Sequence, residues 1–326
     1  MSEKVKILVF VLTIVAAITA TICYSPGMES SLYGLETGFY KAPIKPQDVK
    51  LLFVGDLMFD RGIRYYAKIN GGNNFIFEKI ALILLENDLV VANLEGSITN
   101  FKSVSAGTAP GSANNYFLTF DSSVAQTLFD NNIRLVDLGN NHILNFGAEG
   151  LKQTQQYLTQ ANVKYFGAPY GKRSQIQEMS GLKIAFVAYN EFASSDLDGE
   201  QADAVSEISE LRQQADVVIV FAHWGVEYSA EPTKDQMALA HKFVDAGANL
   251  VIGSHPHVVA SKEEYNGKMI YYSLGNFIFD QYFQEDVRNG LGVAVEISPE
   301  TKEIKLVEKH FYLQSGGQTI EKTKQK

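Results

Sequence analysis

From residue 49 to residue 298, short apolar runs rich in β-branched residues alternate with segments of helical spacing. The apolar runs predict strands at 49–56, 88–96, 133–142, 182–190, 216–225, 249–257, 269–277 and 292–298. The spacing of apolar residues predicts helices at 75–86, 122–131, 147–160, 205–214 and 234–246. Strands that alternate with helices form sheets covered by helices. The pattern therefore predicts an α/β fold, with a mixed sheet where the last two strands follow each other without a helix.

The first 48 residues have a different character. Residues 7–23 carry no charge and follow Lys4 and Lys6. A basic flank before such a run predicts an N-terminal membrane helix that anchors the chain in the cell membrane as a single-pass protein, with the domain on the extracytoplasmic side. A cleaved signal peptide has similar regions, so secretion is the alternative. The predicted organisation is an anchor at 1–23, a linker at 24–48, a folded domain at 49–314 and a disordered tail at 315–326.

The composition narrows the chemistry that the chain can carry out. Cys23 is the single cysteine, so neither an intrachain disulfide nor a cysteine metal site is possible. Any metal is then held by His, Asp, Glu and Asn, donors that suit Mn, Fe, Zn or Mg. The formal net charge is −9, and no basic run lies in the body of the chain. These features argue against nucleic acid as a partner.

Polar side chains with metal-ligand chemistry follow the ends of the predicted strands. They are Asp56, Glu95, Asn140, Asn141, His142, His223, His255 and His257. In open α/β sheets, ligand sites form outside the carboxyl ends of the strands, so we expect these side chains to meet at one edge. The set is large enough for two divalent cations that share a bridging carboxylate.

Some of these residues also have structural explanations. Asp56 suits a helix N-cap, and His223 can pack on the adjacent Trp224. His255 and His257 favour function more strongly, because the proline between them makes a rigid turn that can point both rings to one side. The Gly/Ser-rich segment 103–115 is predicted to be a loop near the site.

A two-metal site predicts hydrolysis. Two cations a few ångströms apart lower the pKa of a bridging water and clamp a phosphate-like group. A nearby histidine can then donate a proton to the leaving group. His142 is the residue predicted for this role, because it adjoins the ligand candidate Asn141.

Six ordered motifs carry a family resemblance. They are GDLMFDR (55–61), ANLEG (92–96), GNNH (139–142), AHWGVEY (222–228), GSHPHV (253–258) and YSLGNFIFDQ (272–281). Over residues 49–298 the chain resembles the CapA capsule-synthesis family, which is linked to poly-gamma-glutamate production. That family is similar to a divergent branch of the calcineurin-like metallophosphoesterases. The resemblance implies a two-sheet α/β/β/α sandwich of the metallophosphatase type.

The resemblance also implies roles for individual residues. It implies metal ligation by Asp56, Asn141, His223, His255 and His257, and catalysis by His142. Its own signature includes Arg61, Glu227, Tyr228, Asn276 and Asp280. Arg61 is a candidate anion clamp, since a guanidinium grips carboxylate or phosphate bidentately; the other four, with Asn140, are expected to support the site.

Two positions depart from the metallophosphoesterase pattern. Met58 stands where those enzymes have a metal-binding histidine, two residues after the first aspartate. Glu95 takes the place of their bridging aspartate. The loss of one imidazole is expected to weaken one of the two metal sites. Phosphatase activity that relies on both cations would be weakened with it.

Two functions follow from these features. The first is a metal-dependent hydrolase or transferase that acts in capsule or poly-gamma-glutamate biosynthesis. The second is a non-catalytic accessory or scaffold subunit of a polymer synthesis or export complex that binds the polymer. The expected partners are the membrane, an anionic polymer such as polyglutamate or a phosphoester substrate, and other capsule-synthesis membrane proteins.

Overall fold

A computed structural model describes residues 47–322 of the chain. Within that range no helix is both long and apolar enough to cross a membrane. The predicted membrane segment at 1–23 and nearly all of the predicted linker lie outside the described residues.

The described residues form short strands interrupted by helices. The strands are β1 (Val49–Leu57), β2 (Leu89–Leu94), β3 (Ser97–Ile98), β4 (Thr119–Phe120), β5 (Ile133–Asp137), β6 (Lys164–Phe166), β7 (Ser174–Met179), β8 (Leu182–Asn190), β9 (Val217–His223), β10 (Leu250–Ser254), β11 (Lys262–Tyr265), β12 (Lys268–Tyr271), β13 (Asn276–Ile278), β14 (Asn289–Ile297), β15 (Ile304–Leu313) and β16 (Thr319–Glu321). The α-helices are α1 (Arg61–Ile69), α2 (Asn74–Phe77), α3 (Ala81–Leu85), α4 (Ser123–Asp130), α5 (Gly147–Gln160), α6 (Leu197–Leu211) and α7 (Lys234–Asp245). The mixed α/β fold predicted from the sequence is confirmed.

Two large sheets organise these strands. The first sheet has the order β16-β15-β14-β1-β2-β5-β6, and β13 pairs with the end of β1. Its strands β1, β2, β5 and β6 are parallel, whereas β14, β15 and β16 are antiparallel additions. The second sheet has the order β11-β12-β10-β9-β8-β7, with antiparallel strands at its two edges. The parallel strands of each sheet therefore direct their carboxyl ends to one edge.

The core divides according to which face of a strand a side chain occupies. On β1, Phe53 belongs to a buried cluster that also contains Phe221 of the second sheet, and the two ring centroids lie 6.4 Å apart. Leu52, on the opposite face of β1, belongs to a cluster that includes Ile63 of α1 and Leu158 of α5. A third cluster joins the second sheet to α6 and α7. Strands buried on both faces explain why they read as continuous apolar runs.

The segment that was predicted as one strand at 269–277 is two strands in different sheets. Strand β12 pairs with β10 in the second sheet, and β13 pairs with β1 in the first. Gly275 between them has a φ of 68°, a conformation that glycine adopts without strain. Continuous apolar composition cannot reveal such a change of sheet, because both strands are buried.

The helix predicted at 75–86 is also wrong in detail. The chain forms α2 and α3, separated by Glu78–Ile80, and Ile80 has φ −123° and ψ −4°, outside the helical region. Ile76, Phe77 and Ile80 are all buried in the same cluster, so the break keeps three apolar side chains in the core.

The tail predicted to be disordered from residue 315 is ordered as far as Lys322, the last described residue. Strand β16 pairs with β15, and the hydroxyl of Thr319 donates to the carbonyl oxygen of Phe277. Thr319 is buried, and backbone and side-chain hydrogen bonds hold this polar segment in place. The folded domain extends beyond the predicted boundary at 314.

Candidate metal centre

Two fully buried carboxylates lie side by side where β1 and β2 end. Asp56 is the penultimate residue of β1, and Glu95 follows β2 directly. Asn93 separates them: its Nδ2 donates to Asp56 Oδ1 at 2.8 Å and to Glu95 Oε2 at 3.2 Å. Since β1 and β2 are parallel neighbours, the topology delivers both carboxylates to one point.

The second sheet contributes His223, the last residue of β9. Its Nε2 lies 3.0 Å from Asn141 Oδ1, and its Nδ1 lies 3.0 Å from Ser254 Oγ. Ligand atoms of Asp56, Glu95 and His223 all lie within 4.8 Å of one another, and the three residues are buried. This group could hold a metal ion.

His255 and His257 approach the carboxylates from the turn after β10. The Nδ1 of His257 is 3.4 Å from Asp56 Oδ2, and its Nε2 is 3.6 Å from Glu95 Oε1. Asn276 Oδ1 lies 3.0 Å from the same Nδ1 and fixes the ring. The backbone N–H of His255 donates to Asp56 Oδ2 at 3.4 Å. Both predicted histidines therefore join the site.

The backbone around the site is strained at four predicted residues. The φ angles of Arg61, Tyr228, His255 and His257 are 48°, 65°, 96° and 59°. Left-handed backbone at residues other than glycine costs free energy and is concentrated at functional sites. Surrounding contacts hold these residues, such as the bond from the Tyr228 N–H to the Pro256 carbonyl at 2.8 Å.

Burial and like charges shift the pKa values of the cluster. Burial, followed by the charge of Asp56, raises the pKa of Glu95 well above its ordinary value. Burial lowers the pKa of His223 well below its ordinary value and that of His255 to about 4. Burial also acts to lower the pKa of His257, but the carboxylates of Glu95 and Asp56 outweigh it and raise that pKa to about 9. Near neutral pH the metal-free site thus holds a proton between its carboxylates and His257.

The residues fit a bound divalent cation. Glu95 Oε1 and His255 Nδ1 are buried and have no hydrogen-bond partner among the described residues. Buried polar atoms are normally paired, so two unpaired atoms in one cluster indicate a missing ligand. Carboxylate, imidazole and amide donors suit a hard or borderline cation. Met58 is not among these donors: it is part of an apolar cluster, and its sulfur accepts from the Asp60 N–H at 3.0 Å.

His142 lies beside the carboxylates with its Nε2 3.8 Å from Glu95 Oε1. Its Nδ1 is 3.1 Å from Asn145 Oδ1, an oxygen that also accepts from the Leu118 N–H at 2.9 Å. Asn145 therefore presents an acceptor, and the single proton of neutral His142 belongs on Nδ1. Burial lowers the pKa of His142 to about 4. At neutral pH the His142 ring is therefore uncharged, and its role as a proton donor stays a prediction.

Arg61 lies next to the ligand group and not within it. Its guanidinium donates to Asp280 Oδ1 at 2.5 Å and to Asn115 Oδ1 at 3.2 Å. It also lies 5.3 Å from the ring centroid of Phe279, which is 4.8 Å from the ring of His257. Arg61 is thus held in place beside the ligand cluster, and the Phe279 ring contacts both its guanidinium and the His257 ring.

The remaining predicted residues surround the cluster. Asn140 Nδ2 donates to Asn93 Oδ1 and to the Leu94 carbonyl, both at 2.9 Å. The ring of Tyr228 lies 6.2 Å from that of His257. Glu227 is exposed, and its charge contributes to the raised pKa values of Glu95 and His257.

Sequence reasoning assigned no role to four residues that position the site. Asn93 bridges the carboxylates, Ser254 contacts His223, and Asn145 fixes the tautomer of His142. Phe192 packs against His255 at 4.4 Å between ring centroids. Asn93 lies two residues before Glu95, and Ser254 lies one residue before His255. Closeness in the sequence to a predicted ligand was therefore the signal that could have identified them.

Metal binding near neutral pH is expected to release protons. His257 has a pKa raised from 6.5 to about 9, so its ion pair with the carboxylates stabilises the metal-free fold fully below pH 6.5 and is lost as the pH rises through about 9. A cation in this site requires deprotonated ligands. Calorimetric titration of Mn²⁺ in buffers of different ionisation enthalpy measures the protons released. Wild type is expected to release more protons than His257→Gln, and equal release by both would contradict this assignment.

Comparison with known families gives a match over the region that carries the site. Residues 50–281 match the family model described as "Bacterial capsule synthesis protein PGA_cap". The matched range contains every residue discussed above for the metal centre.

Individual relatives agree with the family match. The "PGA biosynthesis protein CapA" of Bacillus subtilis is 32% identical over 244 residues, which are 70% of this chain and 63% of that protein. The "Capsule biosynthesis protein CapA" of Bacillus anthracis is 30% identical over 261 residues, 74% of this chain and 62% of that protein. A "Probable polyglutamine synthesis accessory protein" of Mycobacterium tuberculosis is 29% identical over 168 residues, 44% of each chain. The chain thus spans less than two thirds of the length of each relative.

Proposed function

This chain belongs to the PGA_cap family of bacterial capsule synthesis proteins, and we propose that it works in poly-gamma-glutamate capsule biosynthesis. The names of the two CapA relatives support the proposal. We place the domain on the extracytoplasmic side of the cell membrane, attached through the uncharged segment at 7–23 or secreted after its cleavage.

Within that process the proposed activity is metal-dependent hydrolysis or group transfer. The observation that carries it is the convergence of Asp56, Glu95 and His223 from two sheets, with an unpaired Glu95 oxygen among them. Asp56, Glu95, Asn141, His223, His255 and His257 would hold two divalent cations. When bound, such cations polarise a substrate oxygen and activate water.

The proposed fold type supports the same activity. We assign the two sheets and their helices to a two-sheet α/β/β/α sandwich of the metallophosphatase type. The apolar cluster shared by both sheets and the two outer clusters with helices support this assignment. In that arrangement the carboxyl ends of β1, β2 and β9 open on one site.

The side chains around the ligands have separate roles in the proposed reaction. Asn276 orients His257, and Asn93 holds Asp56 and Glu95 apart. Nε2 of neutral His142 accepts a proton, and the protonated ring can return it to a leaving group. Arg61 holds a carboxylate or phosphate of the substrate at the entrance.

The test uses the full chain loaded with Mn²⁺ and supplied with either a generic phosphodiester or poly-gamma-glutamate. The substrate that is cleaved identifies the bond attacked. His142→Gln is expected to lower kcat about a hundredfold, because proton transfer is lost, while the metal content stays the same. His241→Gln is the matched control, since His241 pairs with Glu263 on the outer side of the second sheet. Equal kcat for wild type and His142→Gln would contradict the role of His142.

A second candidate function is that of a non-catalytic accessory subunit. Met58 in the place of a metal-binding histidine favours it, as does the word "accessory" in the name of the Mycobacterium tuberculosis relative. This function predicts that the full chain binds poly-gamma-glutamate yet cleaves neither substrate when Mn²⁺ is bound. Cleavage that disappears with chelation and returns with Mn²⁺ would exclude it.

A further inference from the structure

A cleft of about 740 Å³ opens beside the metal centre. Helix α1 forms one wall, the Gly-rich loop around Gly107 forms another, and the contacting rings of Tyr228 and Phe283 form a third. Arg61 and Tyr228 belong both to this lining and to the surroundings of the centre. The cleft is therefore an approach to the site.

One face of α1 supplies the charge of the cleft. Arg61, Arg64, Tyr65 and Lys68 all line it, and their spacing of three and four residues places them on the same side of the helix. Ile63 and Ala67, on another face, are buried. The three cations make a stripe of roughly 10 Å along the helix axis, which begins next to the centre and ends in solvent.

The first two cations are held in fixed positions. Arg64 Nε donates to Asp60 Oδ1 at 2.9 Å, and Arg61 is bound by Asp280 and Asn115. Asp60 is itself buried and accepts from the Thr119 N–H at 3.0 Å. Side chains that are positioned in advance lose little conformational freedom when a ligand binds.

Exposed aromatic rings line the same cleft as these cations. Tyr65, Tyr116 and Phe283 are 58%, 49% and 64% exposed, although large aromatic side chains usually bury their rings. The combination suits a ligand that carries spaced negative charges on an apolar stem. A double-stranded nucleic acid fits poorly, because it carries a phosphate about every 1.7 Å of its axis whereas the stripe carries three cations over roughly 10 Å, and the whole chain carries a net charge of −9.

We propose that the α1 stripe, defined by Arg61, Arg64, Tyr65 and Lys68, binds an extended polycarboxylate chain and leads it to the metal centre. This inference rests on the proposed function and specifies the substrate of that site. A single small anion would need only one cation, whereas the length of the stripe matches several carboxylates in a row. Methylene groups between the carboxylates would contact the aromatic rings.

The test measures binding of fluorescein-labelled poly-gamma-glutamate to the full chain in the presence of a chelator, by fluorescence anisotropy at low ionic strength. Lys68→Glu is expected to raise Kd about fivefold, because one attraction becomes a repulsion at an exposed site. Lys68→Gln is expected to have a smaller effect in the same direction. Lys152→Glu makes the same charge change at an exposed position of α5 outside the cleft and should alter Kd by less than about twofold. Added salt should reduce the difference between the variants.

Three results would overturn the proposal. They are equal effects of Lys68→Glu and Lys152→Glu, free glutamate that competes as well as the polymer at equal carboxylate concentration, and polyphosphate that binds more tightly than poly-gamma-glutamate. Because the metal is removed, the measurement does not depend on catalysis. A wild-type chain that binds the polymer but hydrolyses no substrate would contradict the proposed activity alone. A wild-type chain that hydrolyses its substrate, together with an unchanged Kd in Lys68→Glu, would contradict the stripe alone.

Discussion

Replacing Glu95 with glutamine is expected to weaken Mn²⁺ binding about a thousandfold while leaving the metal-free fold as stable as the wild type. Glu95 is fully buried next to Asp56, and both burial and the charge of Asp56 raise its pKa. A neutral amide removes this repulsion in the metal-free protein. The same change removes a negative ligand that lies within reach of His223 and Asp56.

The substitution thus lowers the metal affinity without lowering the metal-free stability, which makes the result diagnostic. Titration calorimetry measures the affinity, and thermal unfolding in chelator measures the metal-free stability. Glu178→Gln is the matched control, because Glu178 is exposed on β7 and the same substitution there should change neither quantity. Unchanged Mn²⁺ affinity in Glu95→Gln would remove Glu95 from the ligand set.

Gly55→Ala is expected to destabilise the fold by at least about 4 kcal/mol, one of the largest effects that a single substitution produces. A Cβ at residue 55 would lie 1.8 Å from the carbonyl oxygen and 2.9 Å from the carbonyl carbon of Gly275. These are backbone atoms and cannot rotate away. The Asp56 N–H donates to that same oxygen at 3.1 Å, so relief of the clash would part β1 from β13 directly beneath the metal centre.

Thermal and denaturant unfolding check this expectation, together with Mn²⁺ titration of any folded fraction. Gly316→Ala is the matched control, because a Cβ there meets no atom within 4 Å and its backbone is not left-handed. It should lie within about 0.5 kcal/mol of the wild type. A wild-type unfolding midpoint for Gly55→Ala would show that the two backbones do not approach so closely in solution.

The sequence was sufficient to predict which residues meet. Asp56, Glu95, His223 and His257 were selected because each follows an apolar run, and parallel strands bring their carboxyl ends together. That rule needs only the ends of strands and not their order, which is why a single sequence supports it.

Contacts that depend on which strands are neighbours could not be predicted from the ends of the strands. Asn93 lies between two carboxylates because β1 and β2 are neighbours, and periodicity does not contain neighbour relations. The proton-acceptor role proposed for His142 depends on Asn145, whose oxygen accepts from a distant backbone N–H at Leu118. Helix α1 was missed because polar residues dominate it, so its apolar spacing is weak.

The candidate metal centre takes its residues from both sheets, which has a consequence for how the protein folds. The carboxylates of Asp56 and Glu95 come from the first sheet, and His223 comes from the second. Asn93 and His223, in contact at 3.3 Å, are 130 residues apart in the chain. Contacts of such long range form late, because the entropy of closing the loop opposes them. A cation site built from both sheets would therefore form only once they have docked, so cation affinity would mark the completion of folding.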